Sequence, residues 1–563
     1  MFINSSRPCQ FLIGLFALIT IVRWQTVYYS HDTPKFFLLE VGLSLFVLYH
    51  LKVKAWHITI PSALLICAIG YASTTLLWAP NFYAGTSLIC RLILVGLTLW
   101  ALLQQYKKAQ LTHLLLSASA ISAGVFCLAF FIERFMSIPQ HVGNFTPIGF
   151  INNAGHVMVI WIPSLVLSIY HAKNLTHRVL LAVILLTLTY ILMLCAIRST
   201  IIALLISELM LFCMIVYKDK KQALIFLSIS ALLLSGAALF TYSDTLQNGR
   251  LSEKLSSLHS SLSTSYQPRL NLLVNSKDML MDNPLGVGVN NFEFVHPKYA
   301  KIGTKFASPM VGHSDILKTP HNIIAKLYTE LGWLGGTLLT LTLLYYLFHA
   351  WRAAWFGGMT ERWVCMAYNA LLINAQFSAV FLTPVSLAFS VLLIAAIHSN
   401  THCTVWYAIK LRSGIWRFAK VASLLSIVSI SGALFMSEVL GKDGMMTLNT
   451  TQLKRAVMLN PGNERAWLML SIAYRIRDSD QLRSLTALQQ FRALNPENIH
   501  GRYKEALIYK ELGRYAEALN QLTEILKLHS NDEKTRALCK QVIRALPQAN
   551  NIADLTNSLK PCR

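Results

Sequence analysis

The sequence predicts an all-α membrane protein that crosses the bilayer about 12–13 times and ends in a soluble helical domain. Hydrophobic residues make up 54% of the 563 residues and charged residues only 13%, whereas an average soluble chain has about 25% charged residues. Apolar runs long enough to cross about 30 Å of hydrocarbon recur along most of the chain, and the sequence becomes polar after about residue 441. This composition excludes a string of soluble domains, a disordered chain and a small disulfide-rich protein.

The membrane part is predicted as two groups of spans separated by one long polar segment. The pairs within 179–217 and 363–399 are each joined by a very short connection. The first span lacks a small-residue cleavage site after it, so we expect a retained helix and not a removed signal peptide. The predicted spans are residues 9–30, 35–51, 57–78, 85–104, 111–133, 150–170, 179–197, 199–217, 222–242, 323–349, 363–382, 384–399 and 416–438.

These spans divide the chain into four predicted units. The first transmembrane helices occupy 1–242, a large loop 243–322, further transmembrane helices 323–440 and a soluble domain 441–563. Basic residues are concentrated in alternate connections, and the positive-inside rule places those connections in the cytoplasm. The amino terminus is therefore expected inside, and the large loop in the periplasm of a bacterial inner membrane. An odd number of spans places the carboxyl-terminal domain in the periplasm as well, and one span fewer would reverse that placement.

The net charge of +23 follows the same division. From residue 441 onward, 19 basic and 12 acidic residues give +7, and 8 basic and 6 acidic residues in 244–322 give +2. The remaining 22 basic and 8 acidic residues give +14 and stand mostly at the predicted cytoplasmic ends of helices. The excess therefore marks orientation against anionic lipid and gives no support to nucleic-acid binding.

The large loop interrupts the pattern of spans and is long enough, at about 80 residues, to be functional. A Ser/Leu-rich stretch, 251–265, is predicted as an amphipathic surface helix without chemistry of its own. A second helix with Arg269 near its start and a glycine-rich turn at 284–292 follow.

The carboxyl-terminal region has a helical pattern of its own. Trp467, Leu470 and Tyr474 share one helix face, and 506–519 predicts a helix–turn–helix with Gly513 at the turn. This pattern resembles tetratricopeptide repeats, with one clear repeat and one degenerate repeat, whereas an independent array needs about three. We expect a small domain that is supported by its neighbours and is able to bind a protein partner.

The ten cysteines form no CxxC pair and have no Cys/His spacing typical of a metal site. Most of them lie in or near spans, where we expect packing roles. Cys539 and Cys562 are the exception, because a periplasmic tail would allow them to form a disulfide.

His321 is the strongest candidate for chemistry. It lies with Asn322 where the large loop re-enters the membrane, at a predicted helix start. A neutral imidazole can accept a proton from a hydroxyl near pH 7, and a helix amino terminus favours the neutral form. The alternative is a histidine that only caps the helix. Lys326 and Glu330 follow at i, i+4 spacing and are expected to pair within the span.

The segment that begins with His321 resembles a signature of the O-antigen ligase superfamily: His–Asn, nine residues, then Gly332-x-x-Gly335. Three further segments resemble family elements: an Asp…Pro-Lys element, a Gly…Asn segment that opens a span, and an Arg…Pro-x-Gly-x-Gly…Asn-Phe stretch. They lie at 31–37, 149–156 and 269–292. The turn at 196–200 resembles the family's Ser-Arg-Gly turn, with Thr200 where the glycine is usual.

The resemblance implies a glycosyltransferase that uses no nucleotide sugar, metal or cofactor. Its donor would be a glycan on undecaprenyl diphosphate, and its acceptor a hydroxyl on the periplasmic side. His321 would be the catalytic base, and Arg198 and Arg269 would bind the diphosphate. Arginine suits that role, because its planar fork matches phosphate oxygens and fixed cations stabilise a leaving diphosphate. Asn322, Gly332 and Gly335 would support the site.

Simpler roles stay open for the basic residues. Arg198 suits a lipid-headgroup anchor, and Arg269 an ordinary solvated loop residue. Arg91 stands within a span and suits either a phosphate ligand or an ion pair with Glu40 or Glu208. Lys35 is suited either to anchor the protein at the outer membrane interface or to contact the glycan donor.

Several functions share this predicted core. Ligation of O-antigen to lipid A–core is the first, and O-linked transfer of a glycan to Ser or Thr of a periplasmic protein such as a pilin follows closely. Glycan polymerisation is a third. Outside the superfamily, a transporter or flippase with a regulatory tail stays open, although we see no repeat of the spans. An assembly scaffold built on the soluble domain is the last, and it would leave His321 and Arg198 without a task.

Overall fold

The computed structural model describes residues 6–50, 55–136, 145–195, 197–218, 258–300, 317–398, 407–410, 413–528 and 532–545. Within these ranges the protein is an all-α polytopic membrane protein, as the sequence predicts. The described membrane helices before the large loop are α1 (Arg7–Ile21), α2 (Asp32–Tyr49), α3 (Ile60–Thr74), α4 (Phe82–Gln105), α5 (Lys108–Phe135), α6 (Ile151–His171), α7 (Leu175–Leu194) and α8 (Arg198–Lys218).

The loop and the second membrane group follow in the same way. The loop contains α9 (Leu258–Asp282) and the short α10 (Phe292–Val295), and the second group consists of α11 (Ile323–Phe356), α12 (Met359–Ala375), α13 (Pro384–His398) and α14 (Ser413–Thr447). Of the described helices, eight are long and apolar enough to cross a membrane, and α1 and α13 are shorter apolar helices. The predicted span 222–242 lies outside the described residues.

Short elements join the helices. Three 3-10 turns lie at Thr75–Leu77, His296–Lys298 and Val380–Leu382. Two small antiparallel ladders pair β1 (Ala55–Ile58) with β4 (Tyr407–Lys410) and β2 (Phe145–Thr146) with β3 (Gly149–Phe150). The second ladder is a hairpin that leads directly into α6.

Three predicted boundaries are wrong. The helix α1 ends at Ile21 and not at 30, because the polar and aromatic residues that follow close a loop in which Trp24 N donates to Ser30 O (2.9 Å). The helix α12 ends at Ala375 and not at 382, and a separate 3-10 turn occupies Val380–Leu382. The predicted pair of loop helices is one helix, α9, which continues through Pro268 and leaves Arg269 near its middle.

The membrane helices pack around α6. Trp161 of α6 is fully buried, and its ring centroid lies 5.8 Å from that of Phe126 in α5 and 5.5 Å from that of Phe389 in α13. Phe389 in turn contacts Phe16 of α1 at 5.3 Å. These tilted and edge-to-face ring contacts fix the relative positions of the four helices.

The last helices form a stack in which consecutive helices contact each other. They are α15 (Thr450–Leu459), α16 (Glu464–Ile476), α17 (Gln481–Leu494), α18 (Ile499–Glu511), α19 (Tyr515–Leu528) and α20 (Glu533–Ala545). The turn between α18 and α19 contains Gly513 at φ +72°, as the sequence predicts. Cys539 is buried and disulfide-bonded, and Cys562 lies outside the described residues, so their pairing stays a prediction.

The stack is docked on one face of the membrane helices, which we call the outer face. This face contains the connections 22–31 and 78–81. Asn81 Nδ2 donates to Gly462 O (3.3 Å), and a Cβ atom on Gly462 would lie 2.4 Å from Tyr83 Cβ. Lys442 Nζ donates to Val27 O (3.1 Å). The close approach at Gly462 requires a residue without a side chain.

The large loop is joined to α11 at a point where two glycines cross, which we call the glycine crossing. Gly332 interrupts α11 with φ +62°, and Gly286 of the loop has φ +86°. A Cβ atom on Gly332 would lie 2.3 Å from Pro284 O, and one on Gly286 would lie 2.3 Å from Glu330 O. Only glycine allows this contact, because both backbone angles and both separations exclude a side chain.

The break in α11 frees backbone groups that bind the loop. Val287 N donates to Thr329 O (3.0 Å), and Gly288 N donates to Glu330 O (3.0 Å). Carbonyl groups that would otherwise accept bonds within the helix thus accept them from the loop.

The connection between α3 and α4 holds the same loop from its other side. Trp78 Nε1 donates to Gly286 O (2.8 Å), and Asn81 N donates to the buried side chain of Asn291 (2.7 Å). The loop segment 284–292 is therefore bound by two membrane elements that are distant in sequence.

We predict that Gly332→Ala lowers the stability of the protein and loosens the loop. The backbone angles of Gly332, φ +62° and ψ −167°, alone cost an alanine about 1–3 kcal/mol, and the contact with Pro284 O adds to this cost. Thermal unfolding in detergent, followed by tryptophan fluorescence, measures the effect. The control is Gly432→Ala in α14, where a Cβ atom would meet nothing within 4 Å. Equal melting temperatures for both variants would contradict the crossing.

Candidate active site at the outer face

His321 lies immediately before α11, at the helix start that the sequence predicts. Its backbone is left-handed, with φ 54°. Asn322 caps the helix, because its Oδ1 accepts from Ala325 N (2.9 Å), and its Nδ2 donates to Gln376 O (3.2 Å). Asn322 therefore ties the start of α11 to the end of α12 and holds His321 at this junction.

Arg269 lies within electrostatic range of His321, and Arg198 lies within electrostatic range of Arg269. Burial lowers the pKa of His321, and Arg269 lowers it further. Partial burial lowers the pKa of Arg269, and Arg198 contributes to that shift. Arg198 is the first residue of α8, as the sequence predicts, and both arginines remain accessible to solvent. The structure thus places Arg269 of α9 near both His321, at the start of α11, and Arg198, at the start of α8.

The turn that contains Arg198 is held by tight packing of α6 against α8. A Cβ atom on Gly155 would lie 2.3 Å from Thr200 Oγ1. Asn374 Nδ2 donates to both Gly155 O and Thr200 Oγ1 (3.4 Å each). Thr200 occupies the position where the resembled motif has glycine, and it is accommodated because Gly155 lacks a side chain.

A second histidine lies beside this group and was not singled out in the sequence analysis. His156 is almost fully buried, and its Nε2 lies 2.5 Å from Ser378 Oγ. His156 is also within electrostatic range of His321. The sequence carries no signal for the pair, because His156 and Ser378 are 222 positions apart and no spacing rule joins them.

Two of the supporting residues have structural partners. Lys35 is fully buried, and its Nζ donates to Thr20 O (3.2 Å), Val22 O (2.7 Å) and Pro147 O (2.9 Å). All three ammonium N–H groups of Lys35 then have acceptors. These contacts favour a structural role, in which Lys35 joins α1 to the hairpin before α6, over a contact with the glycan substrate.

Arg91 takes one of the alternatives that the sequence left open. Its Nε lies 2.6 Å from Glu40 Oε1, and its guanidinium carbon lies 3.7 Å from the centroid of the Phe36 ring. These contacts favour the ion pair over a phosphate ligand. Gly335 packs closely, because a Cβ atom there would lie 2.7 Å from Tyr71 Cδ1.

The predicted pair of Lys326 and Glu330 forms, and both side chains are buried. Glu330 also accepts from two loop amides, Asn290 N (3.0 Å) and Phe292 N (3.3 Å). The charged pair within the helix therefore has a second function, which is to bind the loop beside the glycine crossing.

A large apolar cavity opens within the membrane helices near this site. It has a volume of about 750 Å³ and is lined by α3, α4, α11 and α13, and it reaches Ile323, two residues after His321. Among the described residues, no group of three or more His, Cys, Asp or Glu side chains is arranged to hold a metal ion.

Part of the chain is similar to a known protein family. Residues 181–340 match the family model described as O-Antigen ligase, and the matched segment includes Arg198, Arg269, His321 and the glycine crossing. No curated protein matches the chain. The match supports the O-antigen ligase superfamily for this segment and, at that level, a ligase- or polymerase-like membrane glycosyltransferase with a lipid-linked glycan donor.

Proposed function

We propose that the protein transfers a glycan from undecaprenyl diphosphate to an acceptor hydroxyl at the periplasmic face of a bacterial inner membrane, with lipid A–core as the acceptor. The observation that carries this proposal is the position of Arg269, which lies within electrostatic range of both His321 and Arg198. A base beside two cations is what transfer from a diphosphate requires.

The reaction follows from the roles of these groups. The acceptor oxygen attacks the anomeric carbon of the donor sugar while His321 accepts the hydroxyl proton. The bond between that carbon and the diphosphate oxygen breaks, and the diphosphate leaves with the negative charge. Arg198 and Arg269 bind the departing diphosphate and stabilise its charge. Attack from the side opposite the leaving group inverts the anomeric centre, and no metal takes part.

The membrane cavity supports a lipid-linked donor. Its walls are predominantly apolar, with residues such as Leu65, Leu92, Leu327 and Val391. A polyprenyl chain gains free energy from such a surface in proportion to the apolar area that it buries. Because the cavity reaches Ile323, a chain bound there would have its diphosphate end near His321.

The orientation of the protein belongs to the same proposal. The disulfide-bonded state of Cys539 suits the oxidising periplasm, and the stack that contains it is docked on the same face as the large loop. We assign 441–563 as a tetratricopeptide-like domain on the helical pattern, the Gly513 turn and the full burial of Ala518.

One observation favours a second candidate, O-linked transfer to a periplasmic protein. The helical stack covers part of the outer face next to the loop, and repeats of this kind bind polypeptides. A protein acceptor held by the stack would be presented to the same catalytic group.

We predict that His321→Ala abolishes transfer in cells. The gene is deleted, wild type or variant is restored, and lipopolysaccharide banding and glycoprotein staining are compared. Loss of the general base lowers the rate about 10²–10⁴-fold. Loss of long-chain lipopolysaccharide alone identifies the lipid acceptor, and loss of protein glycans alone identifies the protein acceptor. The control is His177→Ala, an exposed histidine of α7. Full activity of His321→Ala would contradict the assignment.

The pH dependence of transfer gives an independent prediction. Because burial and Arg269 lower the pKa of His321 below the usual 6.5, the imidazole stays neutral through pH 7 and becomes protonated only in more acidic solution. The acid limb of kcat/KM should therefore have its midpoint below pH 6.5. In Arg269→Gln, assayed with saturating donor, the midpoint should move upward. A wild-type midpoint at pH 7 or above would contradict the proposed base.

A further inference from the structure

A second cavity lies at the outer face, between the membrane helices, the large loop and the helical stack. Its volume is about 270 Å³. Its walls come from α2, the start of α4, the loop after the glycine crossing, α14 and residues 460–465. His321, Arg198 and Arg269 are not among its lining residues, so it is distinct from the candidate active site.

The cavity contains more carboxylates than cations. Glu40 is paired with Arg91, as described above. The remaining charged lining residues are Glu293, Glu438 and Glu464 against Lys318 and Arg465. The charged lining therefore has no surplus of positive charge for a phosphate or another anion.

One of these carboxylates has an oxygen without a partner. Oε2 of Glu438 is buried and has no hydrogen-bond partner among the described residues. A buried acceptor of this kind costs free energy unless something donates to it. Since Glu438 lines the cavity, a ligand in the cavity is placed to supply that donor.

A second carboxyl group of the cavity, that of Glu464, is able to donate a hydrogen bond as well as to accept one. Burial, with a smaller contribution from neighbouring Glu293, raises the pKa of Glu464 to about 7. At neutral pH the Glu464 carboxyl is therefore partly protonated and able to donate as well as to accept. Hydroxyl groups, which also donate and accept, match such a site.

Aromatic rings complete the lining. Tyr83 is 40% exposed, and Phe36, Phe294 and Phe435 line the same space. Sugars present apolar C–H groups between their hydroxyls. Aromatic rings can pack against the C–H groups, while the carboxyl groups beside them form hydrogen bonds with the hydroxyls.

We propose that this cavity binds one or two neutral or amino sugars of a glycan that takes part in the transfer. The inference rests on the proposed function and adds a binding site to it. The volume is at the lower end of ligand pockets, which limits the occupant to about one or two sugar rings.

The position of the cavity connects it to the active site. Asn290 lies on its wall and is bonded through its backbone N–H to Glu330 at the glycine crossing. Lys318 also lines it and is three residues before His321. A glycan held here is therefore anchored to the same loop that positions the catalytic histidine.

Isothermal titration of the full-length protein in nanodiscs tests the site. One probe is core oligosaccharide, released by mild acid from the lipopolysaccharide of the deletion strain. The other is the glycan released by mild acid from undecaprenyl diphosphate. Glu438→Gln keeps the shape but removes the charged acceptor, so binding should weaken about 10–100-fold. Glu517→Gln, on the exposed surface of α19, is the matched control.

Each outcome decides the proposal. Binding of the core oligosaccharide that Glu438→Gln weakens assigns the cavity to the acceptor, and the same result with the released donor glycan assigns it to the donor. Tyr83→Leu should also weaken binding, and it keeps the test valid if Glu438→Gln fails to fold. No binding of either probe at millimolar concentration, or equal binding by wild type and both variants, would overturn the proposal.

The failure of this inference is distinguishable from failure of the proposed function. His321→Ala should bind the oligosaccharide as the wild type does while transfer is lost. If the wild type transfers glycan and Glu438→Gln has an unchanged acceptor or donor KM, the cavity assignment fails and the function stands. If the wild type transfers nothing, the function fails whatever the titration gives.

Discussion

The outer face depends on one contact between backbones, the crossing of Gly286 over Gly332. The break in α11 at Gly332 leaves carbonyl groups without partners in the helix, and amides of the loop occupy them. Glu330, paired with Lys326, accepts two further loop amides beside the crossing. A charged pair that is costly within a membrane helix is thus stabilised by binding the loop. The helix break and the buried charged pair therefore serve the same purpose, because both accept hydrogen bonds from amides of the loop.

Two hydrogen-bonded contacts connect this arrangement to the proposed catalytic group. Asn322 ties the start of α11 to the end of α12, and Asn374 near that end bonds to Thr200, two residues after Arg198. Because α9 joins the crossing through the loop, Arg269 reaches the same region. Four elements that are distant in sequence therefore converge, and the proposed chemistry needs that convergence more than it needs any single motif.

The sequence predicts what local patterns determine. Apolar runs gave the helices, and i, i+4 spacing gave the pair of Lys326 and Glu330. The helix start beside His321 was also predicted. The sequence did not predict the end of α1, the continuous helix α9, or the contact of His156 with Ser378. These features depend on residues that meet only in the folded chain, for which spacing along the sequence carries no information.

The central claim, that the loop brings His321 together with a diphosphate held by Arg198 and Arg269, is tested most directly by a structure with donor bound. Cryo-electron microscopy of the His321→Ala protein in nanodiscs, with its undecaprenyl-diphosphate-linked glycan, traps the complex before transfer. The account predicts diphosphate density in contact with both arginines and a lipid chain in the apolar cavity that reaches Ile323. Diphosphate density at the opposite face, or remote from both arginines, would contradict it.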